Sequence, residues 1–333
     1  MSAPAALVSE SPQSLILTRR DVAALMDRSD WLDAAELAFR ALGEGRAHAP
    51  EPMAIAAESG AFHAKGASLR LDRLYVALKL NGNFPDSPDR LGLPTIQGAI
   101  LLCDGENGRL LAVLDSIEVT LRRTAAASAL AAQLLARPHS RTALVCGCGR
   151  QGIAQLEAVR DVLPLERVLL WDADPQRARR LADAVGGEPA ADLPSAARRS
   201  DVILCCTSAR EPYLDAGFVR QGTFIAAAGA DSPRKSEIDP DLMAAARVVT
   251  DLTSQCAIMG DLRHGLSAGA LGIGDVHAEL HEVLLGAAPG RRTDDETFLF
   301  DSTGSAIQDV AACVWILERA RRRSGILCVG LGG

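Results

Sequence analysis

The sequence predicts an α/β chain in which a doubly wound parallel sheet is inserted in a second, α+β region. Three observations carry that expectation. Thr142-Cys146, Val168-Asp172, Val202-Cys206, Thr223-Ala228 and Val248-Asp251 are near-continuous apolar runs, with helical segments between several of them. Such runs suit parallel strands buried on both faces. Ahead of them, from about Pro52 to Asp115, short apolar runs are broken by Gly, Pro, Asn and Asp, the texture of a mostly antiparallel sheet. After them, Gly304 to Arg323 reads as one long amphipathic helix outside the βα series, so it is expected to pack back on the first region.

Taken in order, Thr18 followed by Asp21 resembles a helix N-cap with an acid in the first turn, and Asp30 starts a second helix that stops at Gly43. The N-terminal region is therefore expected to begin helical. Met53-Ala57, Leu74-Leu80, Gly98-Cys103 and Leu110-Leu114 are the strands of the first sheet, and Glu118 to Ala136, rich in Ala and Leu, is the helix that connects it to the second. A length of 333 residues, 48% of them apolar, allows a large core and favours two domains.

Charge and composition exclude several classes of function. The 35 basic and 42 acidic side chains give a net charge of −7 without a long single-sign run, which argues against a nucleic-acid partner. With no apolar run long enough to span a bilayer and no basic leader, a cytoplasmic protein with no membrane partner is expected. The eight cysteines form neither a C-x-x-C zinc pattern nor a disulfide framework; Cys146, Cys148, Cys205 and Cys206 lie within strand-like apolar runs, where thiols behave as small hydrophobes.

The strongest motif is Gly147-Cys148-Gly149-Arg150-Gln151-Gly152. It follows the strand Thr142-Cys146 and precedes a helix starting near Gln151, while Asp172 ends the next strand 20 residues after Gly152. This is the Rossmann dinucleotide arrangement: Gly147 permits the tight turn, Gly149 lets backbone approach a pyrophosphate, and Gly152 allows close helix packing. The helix N-terminus holds the phosphates. Asp172 would accept from the ribose hydroxyls and repel a 2′-phosphate, favouring NAD(H), while Arg177 and Arg179 nearby leave NADP(H) open.

Further motifs extend the argument along nearly the whole chain: Ala77-Leu78-Lys79-Leu80-Asn81, Leu121-Arg122-Arg123-Thr124-Ala125-Ala126-Ala127-Ser128, Gly229-Ala230-Asp231 before Lys235 and Glu237, and Phe300-Asp301-Ser302-Thr303-Gly304. In this order, with the Gly-rich turn, they resemble the ornithine cyclodeaminase and μ-crystallin family, which includes amino-acid dehydrogenases and imine reductases. The resemblance implies a homodimer, a substrate-binding and dimerisation domain made of residues 1–125 plus 304–333, and a Rossmann domain of residues 126–303. It implies that Lys79 contacts substrate, that Arg123 binds at the substrate and nicotinamide end, and that Asp231 is the catalytic aspartate. Thr95, Gly149, Asp172, Thr207, Lys235 and Ser302 would contact cofactor, with Thr124, Gly147, Arg150, Gln151, Gly152 and Gly229 beside them, and Thr303 would lie next to the substrate.

The residue types fit amine chemistry. Asp231 follows a strand at the carboxyl edge of the sheet, where a carboxylate of suitably raised pKa can exchange a proton with nitrogen. Position alone would equally give a solvated loop aspartate. Lys79 interrupts an apolar strand and needs an anionic partner or water, unless it snorkels from a sheet edge. Arg123 could simply face solvent from an Ala-rich helix, but its fork suits a carboxylate. Cyclodeaminases carry a substrate-binding arginine near Pro52 and Met53 that this chain lacks; His63 stands about where they place an acid for the distal amine of ornithine, and Lys65 falls close by, where it would replace the missing arginine as a carboxylate ligand or meet a second carboxylate. A basic pair there suits a small anionic amino or imino acid and opposes a diamine; the plainer account is the polar face of an edge strand. His277 and His281, four apart on an expected helix, are better read as exposed helix residues than as a zinc site, and Ser302 lacks a base. The expectation is an NAD(H)-dependent dehydrogenase or imine reductase acting by hydride transfer at a C=N carbon. A cyclodeaminase that releases ammonia, or a nicotinamide-binding protein with little turnover, is the alternative.

Overall fold

The computed structural model describes residues 13–330, which form two sheets. The first contains Gln13–Leu17 (β1), Ala47–His48 (β2), Met53–Ala57 (β3), Gly60–Arg70 (β4), Leu74–Asn83 (β5), Ile96–Asp104 (β6) and Leu110–Asp115 (β7). The second contains Thr142–Cys146 (β8), Arg167–Trp171 (β9), Glu188–Pro189 (β10), Val202–Cys205 (β11), Phe224–Ala227 (β12), Arg247–Thr250 (β13), Ala278–Glu279 (β14) and Phe298–Asp301 (β15). A last strand, Leu327–Gly330 (β16), returns to the first sheet against β1.

The first sheet has the order β16-β1-β7-β6-β5-β4-β2, with β3 paired to β4, and is antiparallel except between β1 and β7. The second is wholly parallel in the order β10-β9-β8-β11-β12-β15-β13-β14. The chain runs outward from β8 in one direction and then from β11 in the other. This reversal opens a crevice above the carboxyl ends of β8 and β11, the place where open α/β sheets bind ligands.

The described residues begin with β1, not with a helix, because Ser14 through Leu17 pair with β7 and β16. Thr18 does cap the following helix through a capping box with Asp21. The second helix, Arg28–Gly43, starts earlier than expected: Asp27 is its cap, and Asp30 is the third-position acid that closes the box.

Two helices place the two sheets against each other. Ser116–Leu135, capped by Asp115, is buried along most of its length and packs on the helices Arg28–Gly43 and Arg150–Val162. Ala306–Ala320 folds back over β4 and β5, where Leu69, Tyr75, Ala67 and Ala77 join its Val310, Ala311 and Ile316 in one core. Along β4 and β5 that inward face then changes character: Lys65 pairs with Lys79, and His63 with Asn81. The apolar part lies under the helix, and the polar part begins at the helix N-terminal turn.

Candidate active site

The crevice above β8 and β11 is a cleft of about 600 Å³ lined by Gly147, Gly149, Asp172, Thr207, Tyr213 and Lys235 among others. Gly147 has a φ of +96°, and a Cβ there would meet the Cys206 carbonyl at 2.6 Å. A Cβ on Gly152 would lie 2.1 Å from the Gly147 carbonyl, whereas one on Gly149 would enter open space. The first and third glycines are thus required by the protein itself, whereas at the middle one the protein leaves room for a side chain.

Helix Arg150–Val162 begins at Gly149 with no side-chain cap and no acid in its first turn, so its amides are free to receive an anion. Asp172 accepts from the backbone N–H of Cys148 at 2.8 Å and of Asp174 at 2.9 Å, which fixes it at the edge of this cleft. Arg177 lies 3.6 Å from the Asp174 carboxylate, so its charge is partly answered by the protein. These residues fit a dinucleotide pyrophosphate and an unphosphorylated ribose. Gln151 lies in the first helical turn; Arg150 is exposed, 3.5 Å from Glu118. Thr124 is buried where two helices meet, its carbonyl accepting from Gln155 Nε2 at 3.4 Å. Thr95 precedes β6 and engages Phe84 N–H through its carbonyl.

A second constellation stands where the inward face of β4 and β5 turns polar. Lys79 is 4% exposed, and its Nζ lies 2.6 Å from Asp309 Oδ2. Arg123 Nε donates to the other oxygen, Asp309 Oδ1, at 3.1 Å. One buried carboxylate therefore holds two buried cations. Lys65, on the strand beside Lys79, donates to the carbonyls of Thr303 and Gly304, both at 3.0 Å. The turn at Gly304 presses so closely on Arg123 that a Cβ would meet Nη1 at 2.3 Å. Burial pushes Lys79 down to about 8, with Asp309 opposing and Arg123 adding to the shift. Burial and Arg123 lower Lys65 as well. Burial would raise Asp309, but Lys79 and Arg123 override it, and the carboxylate is held below its ordinary value.

Asp231, in the loop after β12, is 52% exposed at its side chain and pairs with Lys235 Nζ at 2.6 Å. The raised pKa expected of it is corrected by this contact. Burial acts upward, yet Lys235 and then Lys65 outweigh it, so Asp231 is held ionised below the usual carboxylate range. Lys235, expected at the cofactor, also donates to the Gly229 carbonyl at 3.1 Å. His63 and Pro233 border a further cleft of about 300 Å³ with Met53, Leu252, Gln255 and Ile258. Gln255 donates to Thr303 Oγ1 at 2.6 Å, and Ser302 Oγ donates to buried Asp251 at 3.1 Å.

Asp309, Asp251 and Gln255 were not singled out from sequence. Asp309 had a signal: Lys79 required a buried anion, and Asp309 is an acid on the apolar side of the helix that covers its strand. His277 and His281 do not share a helix, since β14 intervenes and the helix is Leu280–Leu284. His277 bonds the Pro289 carbonyl, and His281 bonds Glu279. Among the described residues no group of three or more His, Cys, Asp or Glu could hold a metal ion, and no helix is long and apolar enough to cross a membrane.

Known proteins share this fold. A structure of an archaeal alanine dehydrogenase dimer with bound NAD superposes with a TM-score of 0.90 at 35% identity, covering 95% of this chain and 99% of the other. The pyrroline-2-carboxylate reductase of Thermococcus litoralis, in complex with NADH and L-proline, gives a TM-score of 0.90 at 30% identity, over 95% and 100% of the two chains. The iminosuccinate reductase of Paracoccus denitrificans is 32% identical over 315 residues, 93% of this chain and 97% of that one. The family model matches residues 13–324, and the chain belongs to the ornithine cyclodeaminase/mu-crystallin family.

Proposed function

We propose that this chain is an NAD(H)-dependent oxidoreductase interconverting a small 2-imino acid, or a 2-oxo acid plus amine, and the L-amino acid. The observation that carries the reading is the cluster of three cations at the second constellation: Lys79 and Arg123 share the Asp309 carboxylate, while Lys65 beside them contacts backbone carbonyls, with Asp231, Asp251 and Asp309 acting on it from farther off. A substrate carboxylate would give this cluster a further contacting anion, and the paired geometry of Lys79 and Arg123 suits it.

The nicotinamide, when bound, exchanges hydride with the C=N carbon. Gly147, Gly149 and Gly152, with the uncapped helix amides at Arg150 and Gln151, would hold the pyrophosphate, and Asp172 would hold the ribose. Thr207 and Lys235 line the rest of the cofactor cleft; Thr95, Thr124, Gly229 and Ser302 are assigned to the cofactor by family resemblance, with Thr303 beside the substrate. Asp231, ionised, accepts the proton that leaves the substrate ammonium in the oxidative direction and returns it to nitrogen in the reductive one. Lys235 keeps it charged and oriented between turnovers. His63 faces the same side of β4 as Lys65 and, together with the missing arginine near Met53, disfavours a diamine substrate.

Residues 1–125 with 304–333 form the substrate domain in this reading, and residues 126–303 the cofactor domain. The outer face of the first sheet supports a homodimer. Ile55, Phe62, Val76, Leu78, Leu80 and Leu101 are all exposed there, adjacent by strand register, and form an apolar patch that a second copy would cover. The cysteines are free thiols, which suits a reducing compartment such as the cytoplasm.

The decisive experiment is a panel of 2-oxo acids with ammonia, cyclic imino acids and L-amino acids, read by NADH absorbance with NADPH in parallel. Net NADH oxidation with an acidic substrate, abolished by Asp231→Asn, is expected. Ammonia release from ornithine without net cofactor change, or activity only with neutral amines, would overturn it.

A further inference from the structure

Glu237 is fully buried and lines none of the clefts described above, yet its carboxylate joins two of the loops that border them. Oε1 accepts from the Thr207 backbone N–H and from Thr207 Oγ1, both at 2.7 Å, and from Tyr213 OH at 2.9 Å. Oε2 accepts from Gly229 N–H at 2.8 Å. Thr207 belongs to the loop after β11, and Gly229 stands two residues before Asp231 in the loop after β12. The fit at Gly229 is close: a Cβ would lie 2.3 Å from Glu237 Oε2.

The anchor is itself fixed from below. Glu237 N–H donates to Asp261 Oδ1 at 2.7 Å, and Asp261 and Leu262 donate their N–H groups to Asp301 at the end of β15, at 3.3 and 2.8 Å. On the other side of the Gly229 peptide, Lys235 holds the carbonyl. The residue that precedes the Asp231 turn is thus held at both its N–H and its C=O.

We propose that Glu237 is a positioning residue that sets Asp231 against the β11 loop, so that cofactor binding at Thr207 and proton transfer at Asp231 share one support. This rests on the reading of Asp231 as the acid and base. The ionised form does the work, because only a carboxylate can take four donors at once. The groups facing it are Thr207 and Tyr213 from the β11 side, Gly229 from the β12 loop, Asp261 at the start of helix Leu262–Ser267, and the thiol of Cys206; Lys235 lies two residues before it. Burial and Asp261 push Glu237 up to about 7, against the hydrogen bonds from Thr207 and Tyr213. Lowering the pH through that value protonates the support and loosens both loops, although Glu237 never touches substrate.

Three variants test this in the full-length protein. Glu237→Gln is expected to speed amide exchange over the Thr207 and Gly229 segments, and to worsen both KM for NADH and kcat, each by about tenfold or more. Tyr213→Phe removes one donor that favours the ionised form, so the acid limb of kcat/KM moves up by about one pH unit while the fold is kept. Asp231→Asn should abolish turnover and leave exchange at Thr207 unchanged. A folded Glu237→Gln protein with exchange and kinetics within about twofold of wild type overturns the proposal. Should that variant fail to fold, an unmoved acid limb in Tyr213→Phe overturns it alone. Retained activity in Asp231→Asn instead sinks the acid–base reading on which the proposal rests.

Discussion

The two halves of the active region are built from different materials. At the cofactor end the working groups are backbone: glycines that let strands and helix approach, and helix amides left without a cap. At the proposed reacting end they are charged side chains: Lys79 from β5 and Arg123 from the helix Ser116–Leu135 share Asp309 of the helix Ala306–Ala320, and Lys65 of β4 stands beside them on backbone carbonyls. The cofactor end recognises a feature common to all dinucleotides and can be rigid and local. The reacting end must hold charge away from water, which requires partners from distant parts of the chain.

The sharpest way to break this contrast is to remove the shared counter-ion. Asp309→Asn leaves Lys79 and Arg123 buried side by side with no anion. The loss of stability should be about 3–5 kcal/mol by denaturant unfolding, since an uncompensated buried charge costs that much. Loss of kcat/KM should exceed about a hundredfold, as both cations leave their places. NADH affinity, which depends on the backbone of the other end, should change little. A variant that lost cofactor binding and substrate turnover in equal measure would show that the two ends are not separately built.

Glycine substitutions probe the opposite end. Gly152→Ala pushes a methyl into the Gly147 carbonyl and should destabilise the protein by about 1–3 kcal/mol while weakening NADH binding. Gly149→Ala meets no protein atom, so its melting temperature should match wild type, yet NADH affinity should fall by about tenfold or more because the methyl stands where the pyrophosphate approaches. Calorimetric binding beside thermal unfolding distinguishes the two. Equal effects of the two alanines on stability would sink the assignment of Gly149 to the ligand.

This contrast also explains what was legible in the sequence. The turn from Gly147 to Gly152 and the strands β8, β9, β11, β12 and β13 were readable because six contiguous residues and continuous apolar runs carry local signals. β4 is absent from the apolar strands of the sequence and reads there only as an edge strand, whereas it pairs on both sides: Gly60-Ala61-Phe62-His63-Ala64-Lys65-Gly66-Ala67-Ser68 is small and polar, because its inward face passes from the covering helix into the charged site. β15 was seen only as part of a motif, since its place between β12 and β13 is a matter of topology and not of composition. Lys79 and Arg123 were singled out through family resemblance, whereas Asp309, 186 residues from Arg123 along the chain, was not. Asp231 was singled out with the raised pKa that acid and base work asks for, but Lys235, four residues on and 2.6 Å away, holds it low.

Titration sharpens the comparison further, because the two ends answer to different groups: Glu237 supports the loop at Thr207, whereas Lys79 stands at the reacting end. Lys79 has its folded-state value pushed down to about 8 from an ordinary value of about 10.4. Between these values the unfolded chain binds the proton that the folded chain has lost, so this lysine makes stability rise with pH across that window. Activity should go the other way: kcat/KM for an anionic substrate should fall as pH rises through about 8, when the ammonium that meets the carboxylate is discharged. Lys79→Arg should remove that limb, as a guanidinium stays charged. A basic limb that survived in Lys79→Arg would assign it to another group.

The smallest expected effect concerns Asp172, where the two building styles meet, since a side chain supports a backbone site. Its carboxylate accepts from Cys148 N–H and so helps to shape the glycine turn, and in the proposed function it also meets the ribose. Asp172→Ser should keep a hydroxyl near Cys148 while removing the charge that repels a 2′-phosphate. The ratio of kcat/KM for NADH to that for NADPH should then shift toward NADPH by about tenfold, the scale of one charge-assisted contact. Arg177 becomes the residue that decides how far the shift goes, because Asp174 already competes for it at 3.6 Å. Adding Asp174→Ala to Asp172→Ser should free that guanidinium and carry the ratio further in the same direction. An unchanged ratio in the double variant would mean that cofactor choice is made by the turn backbone and not by the charges at its edge.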